Sequence, residues 1–338
     1  MKQVLATLIL GFAALVGAPA AAQCVGENLI VQMDPADHAE LRARTDAVPY
    51  HRGLFWRAEK DGAAMTLIGT YHFDHPRHEA IAATFADDIA RADALLVEVG
   101  PEGYDRLQAE MAANPALIVA ASGPTLPERL DAADWQALSG ALAERGIPAV
   151  VAARMRPWYV SLLLGISPCM MRELAQGGDQ LGLDWRLVRL ANGNDVPIIA
   201  LEPWDTAFRM FDGLTPEDEI DMIRYSLPAM HYGDDMTATL ADAYADEDVW
   251  TIWEFSHIEA YRNSDQSASE VERLTNEVRE VLMDRRNRAW IAPLTAAADE
   301  AATRGKGVVA AFGALHLPGE DGVLRLLERD GWTIRRIE

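Results

Sequence analysis

Four short apolar runs, each ending in a residue able to do chemistry, constrain this chain more than any other feature. They are Leu67-Ile68-Gly69-Thr70-Tyr71-His72, Leu95-Leu96-Val97-Glu98, Ile198-Ile199-Ala200-Leu201-Glu202 and Val308-Val309-Ala310-Ala311-Phe312-Gly313-Ala314-Leu315-His316. Runs of this kind suit strands buried on both faces of a sheet. In open α/β sheets, ligands bind beyond the carboxyl ends of the strands. If the four runs are neighbours in one sheet, His72, His316, Glu98 and Glu202 converge there. The two histidines share a GxxH spacing. Gly69 and Gly313 permit a sharp turn or a close backbone approach, and the imidazole three residues on can fold back over the sheet edge.

Strands alternate with helices at both ends of the chain, around a helical middle. Helical patterns cover Asp34 to Ala47, Arg77 to Arg91, Asp131 to Arg145, Pro157 to Ile166, Leu183 to Asn192 and Gly319 to Asp330. Lys60-Asp61-Gly62 is a hairpin signal, and Trp332 to Ile337 reads as a closing strand. The expected fold class is α/β: a mixed, largely parallel central sheet flanked by helices, with a helical insert subdomain over about residues 204–303. Within that insert, Trp250, Trp253 and Phe255 lie at helical spacing, which favours core over an exposed partner-binding patch. No Pro/Ser linker divides residues 23–338.

The N-terminus has the form of a secretory leader, residues 1–22. Lys2 precedes an apolar stretch from Val4 to Val16, and Ala20-Ala21-Ala22 forms a cleavage site before Gln23. A membrane span needs about 20 apolar residues, so no stable span is expected after cleavage. The mature chain is expected in the periplasm or outside the cell. In that oxidising setting Cys24 and Cys169 are expected to pair rather than remain separate thiols. The formal net charge is −22 and no Lys/Arg cluster occurs, which argues against a nucleic-acid partner.

Two imidazoles with carboxylates can hold a divalent ion such as zinc, manganese or cobalt. Such an ion acidifies bound water and polarises a carbonyl, and a neighbouring carboxylate can take the proton. His75, in His72-Phe73-Asp74-His75, is a further candidate ligand or proton shuttle, with an exposed turn residue as the plainer reading. Each of the four strand-end residues also has a plainer reading taken singly: a hydrogen-bonded turn histidine, or a glutamate paired with arginine. HExxH, GxSxG, GxGxxG and P-loop motifs are absent, which removes support for zincin, α/β-hydrolase, nicotinamide and nucleotide-triphosphate readings.

With these residues in view, the chain resembles the TraB/GumN family, which includes the animal Tiki proteases and is related in fold to erythromycin-esterase-like and ChaN-like proteins. The resemblance is carried by the two GxxH blocks, Leu96-Val97-Glu98, Arg156-Pro157-Trp158, Gly182-Leu183-Asp184, Ala200-Leu201-Glu202, Arg286-Asn287 and the block from Phe312 to Val323. It implies two GxxH motifs facing each other across a sheet, with catalytic or ligand roles for Glu98 and Glu202. It also implies that Arg286 and Asn287 face the same cleft. Arg286 would hold a carboxylate or stabilise an oxyanion, and Asn287 would orient either group. The likeness to Tiki implies a metal-dependent hydrolase of peptide or amide bonds more than esters, acting on a small peptide or a polymer. The esterase-like relatives imply a metal-free variant in which histidine activates water. Another class is a non-catalytic protein that binds haem, a metal or a polymer, and of these the ChaN-like relatives imply haem. Pro203-Trp204-Asp205 departs from the family's pattern, which bears on substrate choice.

Overall fold

A computed structural model describes residues 26–175, 182–211, 213–263 and 267–338. The leader and Cys24 lie outside the described residues; Cys169, its expected partner, is buried.

The sheet has six strands: β1 (Phe55–Lys60), β2 (Ala63–Thr70), β3 (Leu95–Val97), β4 (Ile198–Ala200), β5 (Val308–Gly313) and β6 (Thr333–Arg336). Their order is β4-β3-β5-β2-β1-β6. β4, β3, β5 and β2 are parallel neighbours, and β1 runs antiparallel to both β2 and β6. The expected mixed, largely parallel α/β sheet is therefore present. The β1–β2 hairpin closes on Asp61-Gly62, with φ of 48° and 88°. Positive φ at both loop residues is what a two-residue turn needs to match the twist of its strands.

The strand periodicity decides which helix packs where. Leu67, Leu96, Ala310 and Phe312 face one side, against Trp290, Leu294 and Ala298 of the helix Arg285–Thr303 and Leu324 of the helix Val323–Arg329. Ile68, Leu95, Val97, Val309 and Ala311 face the other, against Ile81 and Phe85 of the helix His78–Arg91 and Leu187 and Val188 of the helix Leu183–Gly193. Successive side chains point to opposite faces, and both faces are covered. That is why β3 and β5 read as unbroken apolar runs. β4 differs from the sequence expectation of a buried strand. It lies at the sheet edge, and Ile199 is 39% exposed.

A second, helical core forms beyond the sheet. Leu126, Leu138, Leu142, Val160 and Leu163 pack with Ile220 and Ile223, so chain from both sides of β4 contributes to it. Trp250 and Phe255 are buried in the helix Trp250–Asn263, as their spacing predicts. The helix Arg285–Thr303 returns to the sheet. It is entered through a π-helical turn, Glu280–Asp284, that follows the helix Ala268–Arg279.

Candidate functional site

The parallel register sets the order of the site groups. Gly69 pairs with Phe312 and Thr70 with Gly313, so the two GxxH segments leave β2 and β5 side by side. Beyond β3 and β4, Leu201 N–H donates to Val97 O (2.8 Å) and Glu202 N–H to Glu98 O (3.0 Å), which keeps the glutamates adjacent. Across the carboxyl edge of the sheet the groups therefore run Glu202, Glu98, His316, His72.

The glycines act through close approach. A Cβ on Gly69 would lie 2.7 Å from Leu317 Cδ1 and 3.1 Å from Ala314. A Cβ on Gly313 would meet Glu98 Oε1 at 3.2 Å and His72 Nε2 at 3.4 Å. Each motif's glycine thus makes room for the other motif.

Glu98 is the hub. Its Oε1 accepts the Gly313 N–H (2.7 Å) and lies 4.0 Å from His72 Nε2 and 3.9 Å from His316 Nε2. Its Oε2 accepts Arg286 Nη2 (2.5 Å). Burial opposes the charge, but the positive groups around it and the Gly313 N–H hold the carboxyl at about 2. Glu202 is turned away from the histidines. Its two oxygens accept Arg286 Nε (2.6 Å) and Nη2 (3.1 Å), and Oε1 also accepts Trp290 Nε1 (3.0 Å). Burial raises its pKa against the pull of Arg286.

Arg286 also donates through Nη1 to Leu282 O (2.9 Å) in the π turn and to His316 Nε2 (3.2 Å). A guanidinium has five N–H donors, and all five are engaged here. Of the two roles expected for Arg286, the structure supports holding carboxylates; no donor is left over for an oxyanion.

The histidines differ in setting. His316 is buried. Its Nδ1 meets Asn287 Oδ1 at 2.6 Å, and Asn287 Nδ2 donates to Asp321 O (2.9 Å). With the amide oriented by those partners, Nδ1 carries the proton and the Nε2 lone pair receives Arg286 Nη1. Burial, with Arg286 and His72 nearby, lowers the imidazole to about 3. His72 is open, its side chain 56% exposed, and its Nδ1 lies 3.3 Å from Asp184 Oδ1. Desolvation works against its charge, yet Asp184 and Glu98 outweigh it and raise the imidazole to about 9.

Beside His72 and Glu98 lies a cavity of about 190 Å³. The other expected residue, His75, is elsewhere: its ring packs against Tyr71, His78 and Tyr244, and its Nδ1 accepts the Arg77 N–H.

A model of the TraB/PrgY/gumN family matches residues 54–336, which include every residue of this site. The chain belongs to the TraB/PrgY/gumN family. Comparison with curated proteins finds no match.

In this TraB/PrgY/gumN protein the donor set can be tested against a divalent ion. Both imidazoles present Nε2 to one carboxylate oxygen, and each remote nitrogen is tied to an oxygen, as in metal-ligating histidines. Their separations from Oε1 exceed only slightly the roughly 3.4 Å between two ligands of a tetrahedral ion. Among the described residues no three such side chains already close around one point. Arg286 Nη1 is the competitor for the His316 lone pair. The donor types suit such an ion: His72, His316 and Glu98 would be the ligands, while Glu202 and His75 lie outside the group.

Two participants were not singled out as site residues from sequence. Asp184 belongs to the Gly182-Leu183-Asp184 block; a Cβ on Gly182 would lie 2.3 Å from His72 O, so this segment is pressed onto the first GxxH turn. Trp290 stands one helical turn beyond Arg286. Its ring lies 4.5 Å from that of His316 and 5.1 Å from the guanidinium. The i, i+4 spacing on one helix was the available signal. Arg156-Pro157-Trp158 opens the helix Pro157–Leu164 instead: Arg156 holds Ala116 O, and Trp158 stacks on Phe211.

Proposed function

We propose that this protein is a hydrolase of the periplasm or cell exterior, cleaving peptide or amide bonds with a divalent ion bound by His72, His316 and Glu98. One observation carries the reading: two imidazole Nε2 atoms lie 4.0 and 3.9 Å from a single carboxylate oxygen, and one of those imidazoles, His72, lines a cavity together with that carboxylate. The ion would supply Lewis acidity and a bound water of lowered pKa. The chain's own part is positioning. Gly313 N–H and Arg286 hold Glu98 from opposite oxygens, and Asn287 keeps the His316 proton on Nδ1. Asp184 orients His72 toward the cleft.

The location rests on the leader-like residues 1–22. No described helix is long and apolar enough to cross a membrane. Haem binding is less well supported. The cavity beside His72, about 190 Å³, is smaller than the roughly 300 Å³ at which ligand pockets begin.

The test is cleavage of a peptide library by the purified protein, with chelator and after return of manganese, cobalt or zinc. Cleavage restored by metal and lost in His316→Ala is the expected result. Failure of the metal-supplied protein to cleave any peptide, with no metal taken up in a binding titration, overturns the proposal. A haem absorbance band on the purified protein would point to the alternative.

A further inference from the structure

The cavity beside His72 carries an inference about substrate, which rests on the hydrolase reading. Its polar edge is Glu98, His72 and Asp184. The rest of its wall includes Val97, Val99, Val188, Tyr104 and Trp185. Tyr104 and Trp185 meet edge to face, ring centroids 5.2 Å apart, a geometry that aromatic pairs favour. An apolar cavity of about 150 Å³ accepts benzene, so about 190 Å³ has room for one large side chain.

The wall also says which kind of side chain. A lysine or arginine would need a free carboxylate. Both acids at the edge are engaged, Glu98 by Arg286 and Gly313, Asp184 by His72. An anionic side chain would face those same two carboxylates. Thr70 lines the cavity too, and its Oγ1 is buried with no hydrogen-bond partner among the described residues. Pockets of this make, mostly apolar with a few polar groups, orient a ligand through the polar ones.

We propose that this cavity is the specificity pocket for one bulky apolar side chain, aromatic or branched aliphatic, on the substrate residue next to the scissile bond. Thr70 Oγ1 is the hydrogen-bonding group left for that residue's main chain.

Two measurements on the purified protein test this. The first is equilibrium binding of N-acetylphenylalanine amide, N-acetylglycine amide and N-acetyllysine amide, followed by tryptophan fluorescence and ligand-observed NMR. The phenylalanine compound should bind at least tenfold more tightly than the other two. Val99→Phe, which fills the cavity, should remove that preference, and Trp185→Ala, which enlarges it, should shift preference toward larger rings. The second is the residue profile of cleaved library peptides. Selective binding without cleavage keeps the pocket and sinks the hydrolase reading. Cleavage with no apolar preference beside the cut does the reverse. Equal binding of the three amides overturns the pocket outright. If Val99→Phe fails to fold by circular dichroism, Trp185→Ala and the three-amide comparison still decide.

Discussion

Arg286 shows how one side chain organises a site, with all five of its N–H donors on neighbouring groups. It is mostly buried and joins Glu98 to Glu202. Removing one member of a buried ionic group leaves uncompensated charge and costs about 3–5 kcal/mol. Arg286→Met should therefore lower the unfolding free energy by about that amount in urea titrations. Arg286→Lys should cost less in stability yet still impair the site, because a lysine cannot reproduce the fork. The glycines make a finer contrast. At Gly69 a methyl meets the wholly buried Leu317 at 2.7 Å, so Gly69→Ala should destabilise by about 1–3 kcal/mol through overpacking. At Gly313 the new methyl meets only site groups, at 3.2 Å or more. Gly313→Ala should keep the melting temperature nearer wild type while weakening metal uptake in a binding titration.

At the level of elements, the π turn Glu280–Asp284 sets the direction of Arg286 and Asn287. Such turns insert a residue into an α-helix and are frequent at functional sites. Deleting Val281 should remove the inserted residue and restore an α-helical path, and with it displace the Leu282 carbonyl that receives Arg286 Nη1. Helix content by circular dichroism should hold while cleavage or metal uptake is lost. The β1–β2 hairpin, by contrast, was readable from Asp61-Gly62, because its requirement is local: both residues must take positive φ. The π turn was not readable, since no residue type in Glu280-Val281-Leu282-Met283-Asp284 demands it. Edge placement of β4 was equally hidden. Its apolar residues match those of β3, and only neighbouring strands decide which is central.

For the whole molecule, the two histidines give stability a pH dependence with limbs of opposite cause. His72 is raised to about 9 from 6.5, so its contribution is complete below 6.5 and fades as pH climbs through 9. His316 is lowered to about 3 from 6.5. The unfolded chain then binds a proton that the native state refuses, and stability falls as pH drops from 6.5 toward 3. Glu98, held at about 2 against an ordinary 4.5, adds to the same loss below 4.5. Urea unfolding of chelator-treated protein should show His72→Gln flattening the alkaline limb and His316→Gln the acid limb. Unchanged limbs in both variants would show that these environments are not present in solution.

The amino-acid order by itself determined the helix and strand pattern, the α/β class and the four strand-end groups. These follow from local periodicity and from glycine spacing, which act over a few residues. Tertiary structure decided what those groups do to one another. It turned Glu202 to Arg286 rather than to the histidines, set His75 apart in an aromatic cluster, and brought Asp184 and Trp290 in from distant helices. Hydrogen-bond partners are chosen by distance in space, and those of Glu202, Glu98 and His72 come from other strands and helices, which spacing along the chain does not specify.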